Sequence, residues 1–191
     1  MKLGKYIGSV AMVVLTAGLL TACGSRTTVE SNLGIKGAPD WVNKGSQALN
    51  DQSGRLIQGI ASAPGMNDLS LQTSTADDRA RAEVARVLSS YMKVVSQDYG
   101  ASANTGADQQ SEQSVSRQIQ AITEQNVSGA RIIAHWKDPQ NGTIWSLAEL
   151  DMKQVKDMVA GSKDMNAGFQ NYFASHADNL FDNMNSKGAN P

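Results

Sequence analysis

An apolar residue recurs at every third or fourth position between Thr75 and Tyr99, and no other feature restricts the fold of this 191-residue chain as strongly. Side chains at this spacing lie on one face of an α-helix. A helix of this length needs a surface on which to bury that face. The sequence therefore predicts a long helix packed on a sheet or on other helices, and its buried face consists of Ala76, Ala80, Val84, Leu88, Tyr91 and Val95.

The ends of this helix are predicted from residues that commonly begin or end helices. Ser74 or Thr75 can accept a hydrogen bond from a free N–H group of the first turn. Asp77 and Asp78 would then lie near the positive end of the helix dipole, which favours carboxylates. Gly100 is predicted to end the helix.

Three segments have the length and pattern of β-strands, at residues 55–63, 130–137 and 143–150. The first is a short apolar run that stops before Pro64, and the other two flank an Asp-Pro-Gln-Asn-Gly sequence. Asn141-Gly142 is a strong signal for a hairpin turn, and such a turn needs a positive φ angle at the glycine. The last two segments are therefore predicted to pair as an antiparallel hairpin.

Strict alternation along residues 130–137 assigns side chains to the two faces of the hairpin. It places Trp136 on the face of Ile132 and places His135 on the other face, as a solvated or sheet-edge histidine. Trp145 is in the opposite register from Ile144, so one hairpin tryptophan is expected to be exposed. Exposed aromatic residues mark binding surfaces, and Trp136 and Trp145 are therefore the candidate partner-binding residues.

Three further helices are predicted. A weak apolar pattern indicates one helix at 112–125. Asp151 is predicted to cap a second helix, which Gly161 ends. A last amphipathic helix is predicted at 163–184, with a frayed tail after it. Together with the strands, these elements predict an α+β fold, in which a small, mainly antiparallel sheet is covered by the long helix and further helices.

The apolar side of the last helix can be buried in two ways, against a second copy of the chain or against its own domain. That side is predicted to include Phe169, Phe173 and a packed His176. Phe181 widens it beyond one packing face, which favours contact with a second copy of the chain and a homo-oligomer. The alternative is that the helix folds back on the core of its own domain.

Residue patterns typical of catalysis, metal binding or cofactor binding are lacking in the sequence. It contains no His-Glu-x-x-His, no paired Cys-x-x-Cys, no Gly-x-Ser-x-Gly and no phosphate-binding glycine loop. We therefore predict no catalytic residues, no metal ligands and no cofactor. The formal net charge of −1 does not favour nucleic acid as a partner.

The amino-terminal segment has the pattern of a secretory leader. Lys2 and Lys5 precede an apolar stretch at residues 6–20, which is shorter than a transmembrane helix requires. Leu20-Thr21-Ala22-Cys23 then resembles the lipobox of bacterial lipoproteins. This resemblance implies cleavage before Cys23, the only cysteine of the chain, and attachment of lipid to its sulfur. In this class of lipoproteins an aspartate after the cysteine favours the inner membrane, so Gly24 implies that the protein is anchored in the outer membrane. Whether it lies on the periplasmic or the exterior face is left open.

Four stretches of the mature chain, taken in order, resemble the LPP20 family of bacterial outer-membrane lipoproteins. They are Pro39-Asp40-Trp41-Val42, Gly59–Ala63, Ala76–Arg86 and Thr143–Asp151. The resemblance covers about residues 39–160 and implies no enzymatic activity and no cofactor. It also implies an association with flagella and motility for some members.

These observations divide the chain into four parts. Residues 1–22 are predicted to be a signal peptide, 23–38 the lipidated cysteine and a flexible tether, 39–160 the LPP20-like domain, and 161–191 a carboxy-terminal helix and tail. The function expected is a lipid-anchored, non-enzymatic envelope module that binds other envelope proteins or itself. The alternative is an envelope enzyme or a lipoprotein that binds cell-wall fragments or small molecules.

Overall fold

The computed structural model describes residues 32–49, 55–102, 117, 119–121 and 129–188. The predicted signal peptide and Cys23 lie outside these residues, as does most of the predicted helix 112–125. Arg117 and residues 119–121 are helical, and Ile119 joins the core, so the described part of that helix agrees with its prediction.

The described residues form an α+β fold, as the sequence predicts. A three-stranded antiparallel sheet packs against a long helix, and two further helices complete the core. In chain order the elements are α1 (Asp40–Lys44), a 3₁₀ turn (Gly45–Ala48), β1 (Leu56–Ala63), α2 (Leu69–Ser102), β2 (Arg131–Lys137), β3 (Ile144–Asp151), α3 (Met152–Gly161) and α4 (Ala167–Gly188).

The sheet has the order β1-β3-β2, with β3 in the centre. β1 pairs with β3 from Leu56 opposite Asp151 to Ala63 opposite Ile144. β2 and β3 form the predicted hairpin, and Gly142 in its loop has a φ angle of 71°. The hairpin and the positive φ angle are both confirmed. Its loop is longer than two residues, because the Gly142 N–H donates to the Asp138 carbonyl oxygen.

A β-bulge in β2 reverses the faces that strict alternation predicts for its second half. Ile132 is opposite Ala148, whereas Ala134 is opposite Leu147. Adjacent residues of β3 point to opposite faces, so Ile132 and Ala134 also lie on opposite faces. The prediction that Trp136 shares a face with Ile132 is therefore wrong.

α2 begins six residues before its predicted start. The Asp68 carboxylate accepts a hydrogen bond from the Leu71 N–H at 3.0 Å and so caps the first turn. Ser74 and Thr75 are not the cap, because their hydroxyl groups donate to the Leu71 carbonyl oxygen inside the helix. Aspartate caps a helix as well as serine or threonine does. The choice of Asp68 over Ser74 or Thr75 is therefore made by the tertiary fold.

The early start changes the positions of other helix residues. Asp77 and Asp78 lie in the third turn, so the prediction that they face the positive end of the dipole is wrong. Asp78 instead pairs with Arg81 at 3.4 Å. The helix continues through Gly100 to Ser102, so the predicted end is also wrong.

The core lies between α2 and one face of the sheet, which we call the helix face. Every predicted apolar-face residue of α2 is fully buried. The sheet contributes three buried residues to the hydrophobic cluster that contains most of this α2 face: Ile57, Ala148 and Leu150. The buried face of α2 extends one turn further than predicted, to Gln72.

α4 packs on α2 through an aromatic cluster. Phe173 and Phe181 contact the ring of Tyr91 edge-to-face, with centroids 6.2 and 5.7 Å away. The Tyr91 hydroxyl donates to the Ala177 carbonyl oxygen at 2.8 Å. Burial of this ring raises the pKa of Tyr91. The carboxy-terminal helix is thus part of the same core as the sheet.

The structure corrects several predictions for α4. The helix begins at Ala167 and reaches Gly188, so the predicted frayed tail is helical that far. His176 is exposed and stacks on the Tyr172 ring, rather than packing in the core. Phe181 is only 2% exposed, so its side chain is not available for a second copy. The helix folds back on its own domain.

The connection between the hairpin and α3 agrees with the sequence. The Asp151 side chain accepts a hydrogen bond from the Lys153 N–H at 2.8 Å, which confirms the predicted cap. Gly161 is the last residue of α3, as expected.

Part of the predicted tether is attached to the domain. The Leu33 N–H donates to the Asn43 carbonyl oxygen, and the Asn43 side chain bonds both backbone groups of Ile35. Ordered structure therefore begins before residue 39, and the short α1 after Pro39 was not predicted. Among the residues that the structure describes, no helix combines the length and apolar character required to cross a bilayer.

Candidate binding face

Two tryptophans lie side by side on the sheet face that points away from α2. Trp136 of β2 is directly opposite Trp145 of β3, and Ser62 of β1 is opposite Trp145 on its other side. Residues that are opposite each other in a sheet share a face. The bulge in β2 is what brings Trp136 to the face of Trp145.

Apolar side chains continue this face along the strands. Leu147 is the next residue of β3 on this side, and Ile60 and Ala134 flank it. Leu147 is buried, whereas Ile60, Ala134 and both tryptophans are half-buried. We call this surface the tryptophan face, and it comprises Ile60, Ser62, Ala134, Trp136, Trp145 and Leu147.

A charged pair borders the tryptophan face on the side away from the hairpin loop. Arg131 is opposite Glu149 in the sheet, and its guanidinium lies 3.9 Å from the Glu149 carboxylate. The Arg131 side chain is mostly exposed, whereas that of Glu149 is largely covered. The face therefore has an apolar centre and a polar edge, an arrangement typical of protein interfaces.

The indole N–H of Trp145 is buried and has no hydrogen-bond partner among the residues that the structure describes. Buried tryptophan N–H groups usually have an acceptor, because desolvation without one costs free energy. Because this N–H group is buried, the candidate face presents the half-exposed indole ring of Trp145 and not a free donor.

The structure brings together both tryptophans that the sequence selected. The sequence indicated that one of them would be exposed and the other covered. Both are half-buried, and they are opposite each other in the strand pair. The sequence did not predict that the two are neighbours, and the expectation of one exposed ring is wrong, since both are half-buried on one face.

A serine, a histidine and an aspartate meet on the helix face of the sheet. The Ser146 hydroxyl donates to Asp77 Oδ1 at 2.7 Å, and His135 Nε2 lies 2.6 Å from the same oxygen. In a catalytic triad the histidine lies between the serine and the carboxylate. Here the carboxylate lies between the other two.

This cluster has the geometry of a structural contact. Ser146 is 0% exposed, so a substrate cannot reach its hydroxyl. Asp77 connects α2 to the central strand through Ser146 and to the edge strand through His135. Arg81 adds a second contact to the same edge, from its Nε to the Ala130 carbonyl oxygen at 3.4 Å. Together these contacts hold the hairpin against α2.

Charged groups elsewhere join the residue before β1 to the last two helices. Arg55 donates two hydrogen bonds to the Asp182 carboxylate, both at 2.8 Å. Asp178 accepts from Lys156 and lies 3.5 Å from Arg55. Among the described residues, no group of three or more histidine, cysteine or acidic side chains is placed to bind a metal ion.

The contacts made by two polar residues, Gln72 and Asp77, were not predicted from the sequence. Gln72 lies one helical turn before Ala76 on the same face of α2, so the periodicity could have identified it. Asp77 was interpreted only as a dipole partner. Its contact with Ser146 joins residues that are 69 positions apart, and nothing in the local sequence indicates it.

Comparison with known proteins gives no family assignment: no protein-family model matches the chain, and no curated protein matches it. The resemblance to the LPP20 family therefore rests only on the four stretches given above.

Proposed function

We propose that this chain is a lipid-anchored protein of the bacterial outer membrane, which catalyses no reaction and binds another envelope protein through its tryptophan face. The anchor would be the lipidated Cys23. The partner would be a different envelope protein or a second copy of the chain. The pairing of Trp136 with Trp145 on one half-exposed face is the observation that carries the binding role.

The leader sequence supports the anchor. Cys23 follows Leu20-Thr21-Ala22 directly after the apolar stretch, and it is the only cysteine in the chain. Two or three acyl chains on one residue give a stable membrane anchor. Asn32 is nine residues further on, and nine residues of chain reach at most about 30 Å, so the anchor would keep Asn32 within that distance of the bilayer.

The chemistry of the tryptophan face supports protein binding. Tryptophan is enriched among the residues that dominate binding energy, because it presents a large apolar surface together with one donor. Trp136 and Trp145 contribute such apolar surface, since both rings are half-buried on the same face.

The location and the pathway rest on resemblance alone. Gly24 rather than aspartate after the lipidated cysteine favours the outer membrane, by analogy with other lipoproteins. A flagellar or motility role would follow from the LPP20 resemblance, and a motility assay on a deletion strain tests it.

The anchor is tested by replacing Cys23 with serine. The parent protein is expected to incorporate a fatty-acid analogue and to sediment with outer membranes. The Cys23→Ser protein is expected to do neither, because serine has no thiol for the thioether bond. Label and membrane fractionation that persist in Cys23→Ser would contradict the proposed anchor.

The binding role is tested by site-specific photocrosslinking in cells. A photoreactive residue at position 136 is expected to give a discrete crosslinked product, whose mass spectrum identifies the partner. The same residue at Val94, which is exposed on α2, serves as the matched control. Trp145→Ala should abolish the product at position 136 while leaving the circular dichroism spectrum unchanged. Equal products at both positions would contradict a specific binding face.

A further inference from the structure

One residue of the tryptophan face is more deeply buried than an open sheet face allows. Leu147 is only 2% exposed, although it lies on the side of the sheet that points away from α2. Its neighbours on that side, Ile60 and Ala134, are only half-buried. A side chain of a central strand keeps part of its surface in solvent when its sheet face is open. The burial of Leu147 therefore indicates that a further segment lies over this part of the face.

Val42 of α1 has a burial that matches that of Leu147. It is also 2% exposed, and a helix of five residues cannot bury a side chain by itself. The other buried apolar residues of the described chain belong to the two hydrophobic clusters that include residues of α2, whereas Val42 and Leu147 belong to neither. The 3₁₀ turn directly after α1 contacts β1, which is next to the strand of Leu147. Val42 is therefore the candidate for the residue that covers Leu147.

The segment that carries Val42 is held together by its own hydrogen bonds. The hydrogen bonds described for residues 32–49 all lie within that segment. Asn43 bonds both Leu33 and Ile35, and α1 has no side-chain cap. We call residues 32–49 the cover. A unit of this kind can separate from the sheet without breaking its own hydrogen bonds, at a free energy below that of global unfolding.

The cover is also the described part of the chain that follows the proposed anchor. Asn32 is nine residues after Cys23. Asn43 connects the backbone of Leu33 and Ile35 to α1. A pull on the lipid anchor would therefore act on the cover before it acts on the sheet.

We propose that the cover is displaceable, and that the partner protein binds the tryptophan face after Val42 has moved away from Leu147. This inference rests on the proposed function, because it concerns the regulation of the same binding face. The half-buried side chains of that face expose by themselves much less than the roughly 800 Å² that each partner of a stable interface buries. Removal of the cover adds the surface around Leu147 and leaves the strand pairing intact.

Thiol labelling measures whether the cover opens by itself. The protein is the full mature chain with Cys23→Ser, so that Leu147→Cys supplies its only thiol. Ala148→Cys is the matched control, since Ala148 is the next residue of β3 but is buried in the core with α2. A thiol reagent should react at position 147 at least about ten-fold faster than at position 148, because local opening costs less than global unfolding. Dilute urea should accelerate labelling more at position 148, where exposure requires global unfolding.

Val42→Ala tests whether Val42 holds the cover in place. The substitution removes two methyl groups from the buried contact and should accelerate labelling at position 147 about ten-fold. Leu33→Ala is the control within the cover, because Leu33 is 56% exposed, and it should leave the rate unchanged. Val42→Cys, used without Leu147→Cys, supplies a thiol on the other side of the same contact. It should also be labelled faster than Ala148→Cys, and it serves if Leu147→Cys does not fold.

Photocrosslinking in cells connects the cover to binding. Val42→Ala should increase the product from a photoreactive residue at position 136 several-fold, because apparent affinity rises with the fraction of molecules in the open state. Leu33→Ala should leave the amount of product unchanged.

Equal labelling rates at positions 147 and 148 would overturn the displaceable cover and leave the binding role of the tryptophan face untouched. Faster labelling at position 147, together with a product at position 136 that Val42→Ala does not change, would overturn the regulation and leave the binding role standing. Absence of any product at position 136, in the parent and in Val42→Ala alike, would contradict the proposed function and the inference that rests on it.

Discussion

Gly59 of β1 lies directly against the backbone of Ala80 in α2. A Cβ atom at position 59 would be 2.2 Å from the Ala80 carbonyl oxygen and 2.8 Å from the Val84 nitrogen. Both neighbours are backbone atoms, which cannot move aside as a flexible side chain can. The absence of a side chain at Gly59 therefore sets the distance between the long helix and the sheet.

Gly59→Ala is expected to destabilise the domain by about 2 kcal/mol or more, because α2 must move away from the sheet. The measurement is urea unfolding of the unlipidated mature protein. Gly100→Ala is the matched control: it lies in α2 with open space around it, and alanine there should stabilise the helix by about 0.5–1 kcal/mol. A Gly59→Ala protein as stable as the parent would show that the helix and sheet are not in close contact.

Gly142 has a φ angle of 71° in the hairpin loop. A β-branched residue is disfavoured there, so Gly142→Val is expected to cost about 1 kcal/mol or more. Thermal unfolding followed by circular dichroism measures the change. Gly129→Val, in open space and without a positive φ angle, should have a smaller effect. Equal melting temperatures for the parent and Gly142→Val would contradict this loop conformation.

Asp77 is expected to contribute to stability mainly through the buried Ser146 hydroxyl. Asp77→Ala leaves that hydroxyl without an acceptor, which should cost about 1–3 kcal/mol. Asp78→Ala is the control, since Asp78 is largely exposed and should change stability by less than about 1 kcal/mol.

A double-mutant cycle isolates the contact between Asp77 and Ser146. The Asp77→Ala/Ser146→Ala protein should lose less stability than the sum of the two single variants, because the second substitution removes the unsatisfied hydroxyl. Strict additivity in chemical unfolding would mean that the two side chains do not interact.

The hydrogen bonds from Arg55 lower the pKa of Asp182 below its ordinary value of 3.8. A carboxyl group with a lowered folded-state pKa contributes its stabilisation above the unfolded pKa. That contribution is lost as the pH falls through the folded value. The parent protein should therefore lose stability below about pH 4, and Asp182→Asn should lose less.

Urea midpoints measured at about pH 6 and about pH 3 check this dependence on pH. Arg55→Gln should reduce the pH dependence in the same direction as Asp182→Asn, because it removes the donor. If the parent and Asp182→Asn lost the same stability between these two pH values, the ion pair would not couple protonation to folding.

Elements that depend on neighbouring residues could be predicted from the sequence. The buried face of α2, the hairpin at Asn141-Gly142 and the Asp151 cap are all determined within a few residues of chain. Periodicity and turn-forming residues report such local preferences directly. The α+β class follows, because one long helix and three short strands have few ways to bury their apolar faces.

Predictions failed where a choice depended on distant residues. Asp68 and Ser74 are both good helix caps, and the loop that joins β1 to α2 selects Asp68. His176 has the spacing of a core residue, but the packing of α4 on Tyr91 turns it to solvent. Phe181 lies outside the stripe that one packing face requires, but it packs against the Tyr91 ring and is buried.

The candidate binding face likewise combines features set by the local sequence with features set by distant residues. The sequence alone determined that Trp136 and Trp145 belong to a hairpin, since that depends on local alternation and a turn. Only the tertiary structure decided that they share a face, because the bulge at Ile133 arises from the pairing of β2 with β3. A bulge moves every following side chain of the strand to the opposite face, and the sequence of that strand alone does not reveal it. Long-range pairing therefore created the aromatic surface that local patterns could only suggest.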